Sequence, residues 1–369
     1  MKIVVFGLTI SSSWGNGHAT LWRGLLGAMM RRGWDVVFFE RNVEYYATNR
    51  DLCEIEGGEL VIYAEWSEAV EIARRHLREA DAAIVTSYCP DGVAAAELMM
   101  WFDRPLKIFY DLDTPVTLSV LARGESPPYI GPRRLRDFDL VLSYTGGSAL
   151  TELQARLEAR LVRPLYGHVD PDAYRPASPR PDYACALSHI GTYAPDRRDV
   201  LVELFVEPAR DRPKERFVLA GSLYPADFPW TDNLFVLGHL APQDHAAFYA
   251  SSRLTLNVTR RAMAEMGWCP SGRLFEAAAC GTAILSDWWP GLDEFFEPGS
   301  EILIARSAND VFEALDRDNG EIRHIADAAR ERVLADHTSF RRAAEFEAFL
   351  NEARSPANSA PAPLLTQRG

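Results

Sequence analysis

Arg273 and Glu276 stand three residues apart in the run SGRLFEAAACG, a spacing that puts both side chains on one face of a helix. A guanidinium in that place can fork onto a diphosphate. The carboxylate one turn on can accept both hydroxyls of a ribose. Backbone N–H groups of Ser271, Gly272 and Arg273, at the start of the same helix, add donors for an anion. Arg260, upstream in NVTRR, brings a second positive charge to a leaving group that gains charge as its bond breaks. The competing use of the pair is a helical salt bridge. That contact is worth only about 0.2–0.5 kcal/mol and gives no reason for the glycines at 267, 272 and 281.

A second constellation lies near the N-terminus, in SSSWGNGH. Gly15 and Gly17, with Asn16 between them, permit a tight turn and a close ligand. His18 falls in the first turn of the helix that follows, where a neutral imidazole could take a proton from a hydroxyl group. The order of glycines does not match GxGxxG, and no GKS or GKT is present, so neither a nicotinamide fingerprint nor a Walker loop is indicated. Asp111 and Asp113, in YDLDTP, share a side if their strand continues; either could orient a sugar or serve as base. Asp113 could instead cap a helix with Pro115 in its first turn. No third ligand stands near them, so no metal is expected.

Three weaker candidates complete the set. Gly146-Gly147 offers free N–H groups to an oxyanion or phosphate. Trp288 could stack on a base or a sugar face, with Asp293 touching donor hydroxyls. Trp14, Tyr45 and Tyr46 suit a sugar or an aromatic acceptor.

These residues need elements to hold them. Ile3–Leu8 is a continuous apolar run, as in a strand buried on both faces. His18–Arg32 carries apolar residues at helical spacing and ends at Gly33. Asp35–Phe39 is the next strand, completing a βαβ unit. Strands at 60–63, 82–86, 106–110 and 140–143 continue the series. Residues 163–181 contain five prolines and read as a stiff linker. A second series follows, with strands at 216–220, 234–237, 254–258, 283–286 and 301–305 and helices between them. The predicted class is α/β: two Rossmann-like parallel-sheet domains facing each other across a cleft. Residues 1–165 form the acceptor-side domain and 166–335 the donor-binding domain. Residues 336–351 form a terminal helix packing back on the first domain, and 352–369 a loose tail.

Composition narrows the class. The 369 residues carry a formal charge of −13, which argues against a broad nucleic-acid footprint, so no nucleic-acid partner is expected. The five cysteines are scattered and propose neither a disulfide framework nor a zinc site. No apolar run approaches a membrane span and the first residues lack the marks of a signal peptide, so a cytoplasmic location is expected.

SGRLFEAAACGTAILSD resembles the donor-binding segment of GT-B glycosyltransferases, and is most similar to the CgeB-like (spore maturation protein type) branch of the group 1 superfamily. NVTR, FFEPGSEILIA, His337-Thr338 with Arg341-Arg342, YDLDTP, YTGG and PLYGHVDP fit the same branch. The GNGH run resembles the glycine-rich loop of MurG-like enzymes. The resemblance implies a metal-independent glycosyltransferase with a nucleotide-diphosphate sugar as co-substrate, a UDP-sugar by default. It implies a small-molecule, glycan or protein acceptor. Arg273 falls at the diphosphate contact and Glu276 at the ribose carboxylate; His18 and Asp113 are the catalytic candidates. Many retaining members carry a second glutamate eight positions before the ribose carboxylate; Trp268 stands there instead, which makes it a candidate substrate contact, and retaining stereochemistry does not carry over. The alternatives are a nucleotide-sugar epimerase or hydrolase on the same frame, or a nucleotide- or polysaccharide-binding protein without turnover.

Overall fold

The computed structural model describes residues 1–15 and 17–355. Its first sheet contains β1 (Lys2–Gly7), β2 (Asp35–Arg41), β3 (Glu59–Tyr63), β4 (Ala82–Thr86), β5 (Leu106–Asp111), β6 (Leu140–Ser143) and β7 (Val162–Pro164). They run parallel in the order β3-β2-β1-β4-β5-β6-β7. The strands lack period-two alternation because helices cover both faces. Val4, Phe6, Val85 and Phe109 face one apolar cluster, and Ile3, Val5, Ile84 and Tyr110 face the other.

The second sheet contains β8 (Cys185–Ile190), β9 (Phe217–Ala220), β10 (Leu234–Leu237), β11 (Ser252–Asn257), β12 (Ala283–Ser286) and β13 (Leu303–Ile304). It too is parallel, in the order β10-β9-β8-β11-β12-β13. β8, one of its two middle strands, is not predicted from the sequence. CALSHI places Ser188 and His189 at fully buried positions, which interrupts the apolar run that marks such a strand. Both find partners inside: Ser188 Oγ bonds to Thr255 Oγ1 at 3.0 Å, and His189 Nδ1 to the Leu256 carbonyl at 2.9 Å. The strand expected over 301–305 shrinks to Leu303–Ile304, and a short helix not predicted from the sequence spans Arg261–Met266.

The chain crosses twice between the sheets, and the two crossings are stitched together. The proline-containing segment after β7 pairs at Val169 with Thr338; Val169 N–H donates to the His337 carbonyl at 3.0 Å and Ser339 N–H to the Val169 carbonyl at 2.8 Å. Arg342, 3% exposed, donates to the carbonyls of Tyr166 and Gly167 at 3.2 and 3.3 Å and to Glu345 at 3.0 Å. From there the helix Ser339–Ala353 packs Ala343, Phe346 and Leu350 into the first half's core beside Trp22 and Leu25. Trp34 Nε1 donates to Glu347 at 2.9 Å.

Each sheet has one topological switch point, between β1 and β4 in the first and between β8 and β11 in the second. Ligands of open α/β sheets bind beyond the carboxyl ends of the strands at such points. The loops leaving all four strands border one cavity of about 600 Å³ between the sheets.

Candidate active site between the two sheets

On the second-half wall, Ser271, Gly272, Arg273 and Glu276 all line the cavity. Ser271 is extended and precedes the helix Gly272–Ala279, whose amino end therefore opens on the cleft. Leu274, Phe275, Ala277 and Ala278 bury the other face, which fixes the rotation that turns Arg273 and Glu276 outward. No ion pair within 4.0 Å joins Arg273 to Glu276 or to any other carboxylate among the described residues. Arg273 is instead steered by the end of β11: its Nη1 donates to Asn257 Oδ1 and to the Val258 carbonyl, both at 3.4 Å. That strand end is itself held by Asp287, whose carboxylate accepts from Thr259 N–H and Oγ1 at 3.1 and 2.9 Å. Glu276 accepts from Tyr249 OH at 3.4 Å.

Arg197 joins this wall and is not anticipated from the sequence. It is 6% exposed, donates to the Thr192 carbonyl and lines the cavity. Burial, and then the neighbouring Arg273, lower its pKa to about 10, so it still carries charge at neutral pH. A Cβ on Gly191 would sit 2.9 Å from Arg273 Nη2 and 3.1 Å from Arg197 Nη2; glycine leaves room for both guanidiniums. His189 lies beneath them. Burial and these two charges push its pKa well down, so it remains a neutral ring under a cationic pair. The signal that could have exposed Arg197 is its place just past a strand end, which required recognising β8. Arg260 also lines the cavity, but Asp196 holds it at 3.2 Å.

On the first-half wall stand Gly15, Gly17, His18 and Asp113. Asn16 lies outside the described residues. His18 Nε2 and Asp113 Oδ2 are 3.1 Å apart, with the side chains 14% and 19% exposed. Asp113 occupies the N-cap of the helix Thr114–Ala122, yet its side chain makes no cap bond; it turns to His18. At the rim, the Trp14 ring meets the His239 ring across the cleft, centroids 4.7 Å apart, and Tyr46 lines the cavity whereas Tyr45 does not.

Several candidates fall elsewhere. Asp111 is fully buried at the end of β5 and does not line the cleft. The strand stops there, so the period-two argument that paired it with Asp113 fails. Its Oδ1 accepts from the Asp113 N–H at 3.2 Å. Burial, and then the Asp113 charge, raise its pKa to about 7.

Trp268, Gly146 and Gly147 are also absent from the cavity lining. The Trp268 N–H donates to the Pro290 carbonyl at 2.7 Å, and its carbonyl accepts from Gly146 at 2.9 Å. Its indole donates to Glu294 at 2.6 Å. A Cβ would lie 2.4 Å from that indole at Gly147 and 2.5 Å from it at Gly291. Trp268 is thus a strut clamped between glycines of both halves, and the Gly146 N–H expected to bind an anion is already used. Trp288 is 39% exposed with Arg306 over its ring, and Asp293 is exposed on the turn Leu292–Glu294; neither lines the cleft. Among the described residues, no group of three or more His, Cys, Asp or Glu has the arrangement of a metal site, and no helix is long and apolar enough to cross a membrane.

Two parallel sheets facing across a cleft, each with its switch point on that cleft, give this chain the GT-B fold. A family model described as glycosyl transferase-like matches residues 197–348, and no curated protein matches the chain. Among solved structures, the chain is similar to sucrose-phosphate synthase from Thermosynechococcus elongatus at 14% identity and TM-score 0.69, covering 95% of this chain and 98% of that one. It is similar to Anabaena HepE in complex with UDP-glucose at 15% identity and TM-score 0.65, covering 95% and 100%. It is also similar to an alpha-glucosyltransferase in complex with UDP-glucose and DNA containing an abasic site, at 13% identity and TM-score 0.71, covering 95% and 99%. The last structure corrects the expectation that excluded nucleic acid. A protein of this fold is seen holding DNA, and net charge summed over a chain does not describe the local face a partner meets.

Proposed function

We propose that this protein is a glycosyltransferase of the CgeB-like branch that moves a sugar from a nucleotide-diphosphate sugar, a UDP-sugar by default, to a hydroxyl acceptor. The observation that carries the reading is the Arg273 guanidinium, in no ion pair among the described residues, beside buried Arg197 at the amino end of a helix, one turn from Glu276. One buried and one half-buried guanidinium with helix N–H groups form a site for a diphosphate, not for a single carboxylate. Glu276 supplies the acceptor pair for the ribose. Two solved structures of the same fold hold UDP-glucose, which supports a nucleotide-sugar donor here.

In the reaction, the bond between the anomeric carbon and the diphosphate oxygen breaks, and its electron pair leaves with the phosphate. Arg273, Arg197 and the helix N–H groups stabilise the charge that develops there. The acceptor oxygen forms the new bond to the anomeric carbon, and its proton passes to the His18–Asp113 pair. The cleft keeps water from competing. Residues 1–165 serve the acceptor and 166–335 the donor in this reading, with the enzyme in the cytoplasm.

The test is nucleotide release from a panel of UDP-, GDP-, ADP- and dTDP-sugars, with products identified by mass spectrometry. The expected result is nucleoside diphosphate released together with a glycosylated acceptor. Conversion of the donor to its epimer with no acceptor present would assign the chain to the epimerases instead, and no binding of any nucleotide sugar would defeat the reading.

A further inference from the structure

The first-half wall of the cleft contains a residue that the reaction described above does not use. Tyr88 follows β4 and lines the cavity. Its backbone lies in the left-handed region at φ 60°, a conformation that a bulky side chain adopts only where the surroundings impose it. Those surroundings are rigid. Ser87 N–H donates to the Tyr110 carbonyl at 3.0 Å, Ser87 Oγ accepts from Leu112 N–H at 2.9 Å, and Cys89 behind it is buried. Tyr129 supports one side of the ring, centroids 5.2 Å apart. The result is an aromatic ring 37% exposed, standing 6.2 Å from the His18 ring in an edge arrangement. Burial, and then the charges of Asp113 and Asp111, raise the phenol to about 12, so Tyr88 is a neutral surface and not a base.

The charge around it is as telling. All the arginines that line the cavity, Arg197, Arg260 and Arg273, come from the second half, and no arginine or lysine of the described residues 1–170 lines it. The nearby Arg23 and Arg31 are held by Asp51 and Asp170. The first-half wall instead presents Asp113, Asp170, neutral hydroxyls and rings. An anionic acceptor would meet carboxylates on that wall, where Arg23 and Arg31 are already engaged by Asp51 and Asp170.

We infer that the part of the acceptor entering the cleft is an uncharged sugar ring, whose apolar face lies on Tyr88 and whose hydroxyl meets His18 and Asp113. This rests on the glycosyltransferase reading, and it names the acceptor class that reading leaves open. Tyr88 is then a specificity-determining residue held in its left-handed conformation by the packing around it.

The experiment measures UDP release from UDP-glucose with a panel of methyl hexosides and, separately, the corresponding hexose 6-phosphates, with UDP binding titrated in parallel. Methyl hexosides should accelerate release and the phosphates should not. Tyr88→Ala should lower kcat/KM for the methyl hexoside about five- to tenfold, chiefly through KM, Tyr88→Phe should stay within about twofold of wild type, and UDP affinity should be unchanged in both. Tyr88→Gly, which relieves the left-handed backbone, should lose the acceptor as Tyr88→Ala does. The inference is overturned if hexose phosphates are preferred, or if no methyl hexoside is used while UDP still binds. It is equally overturned if Tyr88→Ala matches wild type, or if Tyr88→Gly restores what Tyr88→Ala loses. Wild-type protein that binds no UDP defeats the donor reading, and this one with it; bound UDP with the wrong acceptor pattern defeats this one alone.

Discussion

The two halves of this molecule are the same architecture twice, and they differ in what their strand ends present to the shared cleft. The second half offers guanidiniums: Arg273 steered by Asn257 and Val258, and Arg197 buried beside it. The first half offers the His18–Asp113 pair at 3.1 Å and an aromatic ring, and none of its described residues that line the cleft is an arginine. A parallel sheet's switch point is therefore a socket whose chemistry is set by a few loop residues. On the function proposed above, one socket suits a departing anion and the other a neutral hydroxyl losing a proton.

That division predicts separable defects. The largest belongs to the proton pair: His18→Ala or Asp113→Asn should lower kcat by about 10²–10⁴-fold and leave UDP affinity unchanged, as read from initial rates and calorimetry on the same preparations. Equal loss of nucleotide binding in those variants would erase the distinction between the two walls. Arg273→Ala should cost about 10²–10³-fold in transfer, with weaker UDP binding. Glu276→Ala should be milder, weakening UDP about tenfold while kcat at saturating donor changes little.

The smallest effect separates a structural carboxylate from a functional one. Asp111 has a folded pKa of about 7 against an ordinary 3.8, so between those values the native chain keeps a proton that the unfolded chain has lost. Its contribution to stability is fully present below about pH 4 and lost as pH rises through about 7, a decline of about 2–4 kcal/mol. Asp111→Asn should flatten that decline in urea denaturation followed across the same window. A slope unchanged by the substitution would remove Asp111 from the account.

The alternation of elements was readable because parallel strands buried on both faces announce themselves as apolar runs, as in Ile3–Leu8 and Ala82–Thr86. β8 escaped because its inner positions hold Ser188 and His189, and with it went Arg197, which is meaningful only as a residue just beyond a strand end. Arg273 and Glu276 were legible from spacing on one helix face, and the structure brings both to the cleft. Trp268 was not. Its role depends on two glycines from different halves, Gly147 and Gly291, and no local pattern encodes a contact across a cleft. Asp111 misled for a simpler reason: the period of two holds only while a strand continues, and β5 ends on that residue.

The account stands on a diphosphate gripped at Arg273, and comparing the affinities of UDP and uridine isolates that grip from the contacts to base and ribose. Wild-type protein should bind UDP at least about a hundredfold more tightly than uridine, two or more charge-assisted hydrogen bonds' worth. In Arg273→Ala most of that ratio should vanish while uridine affinity stays the same. A ratio that survives the substitution would contradict the account.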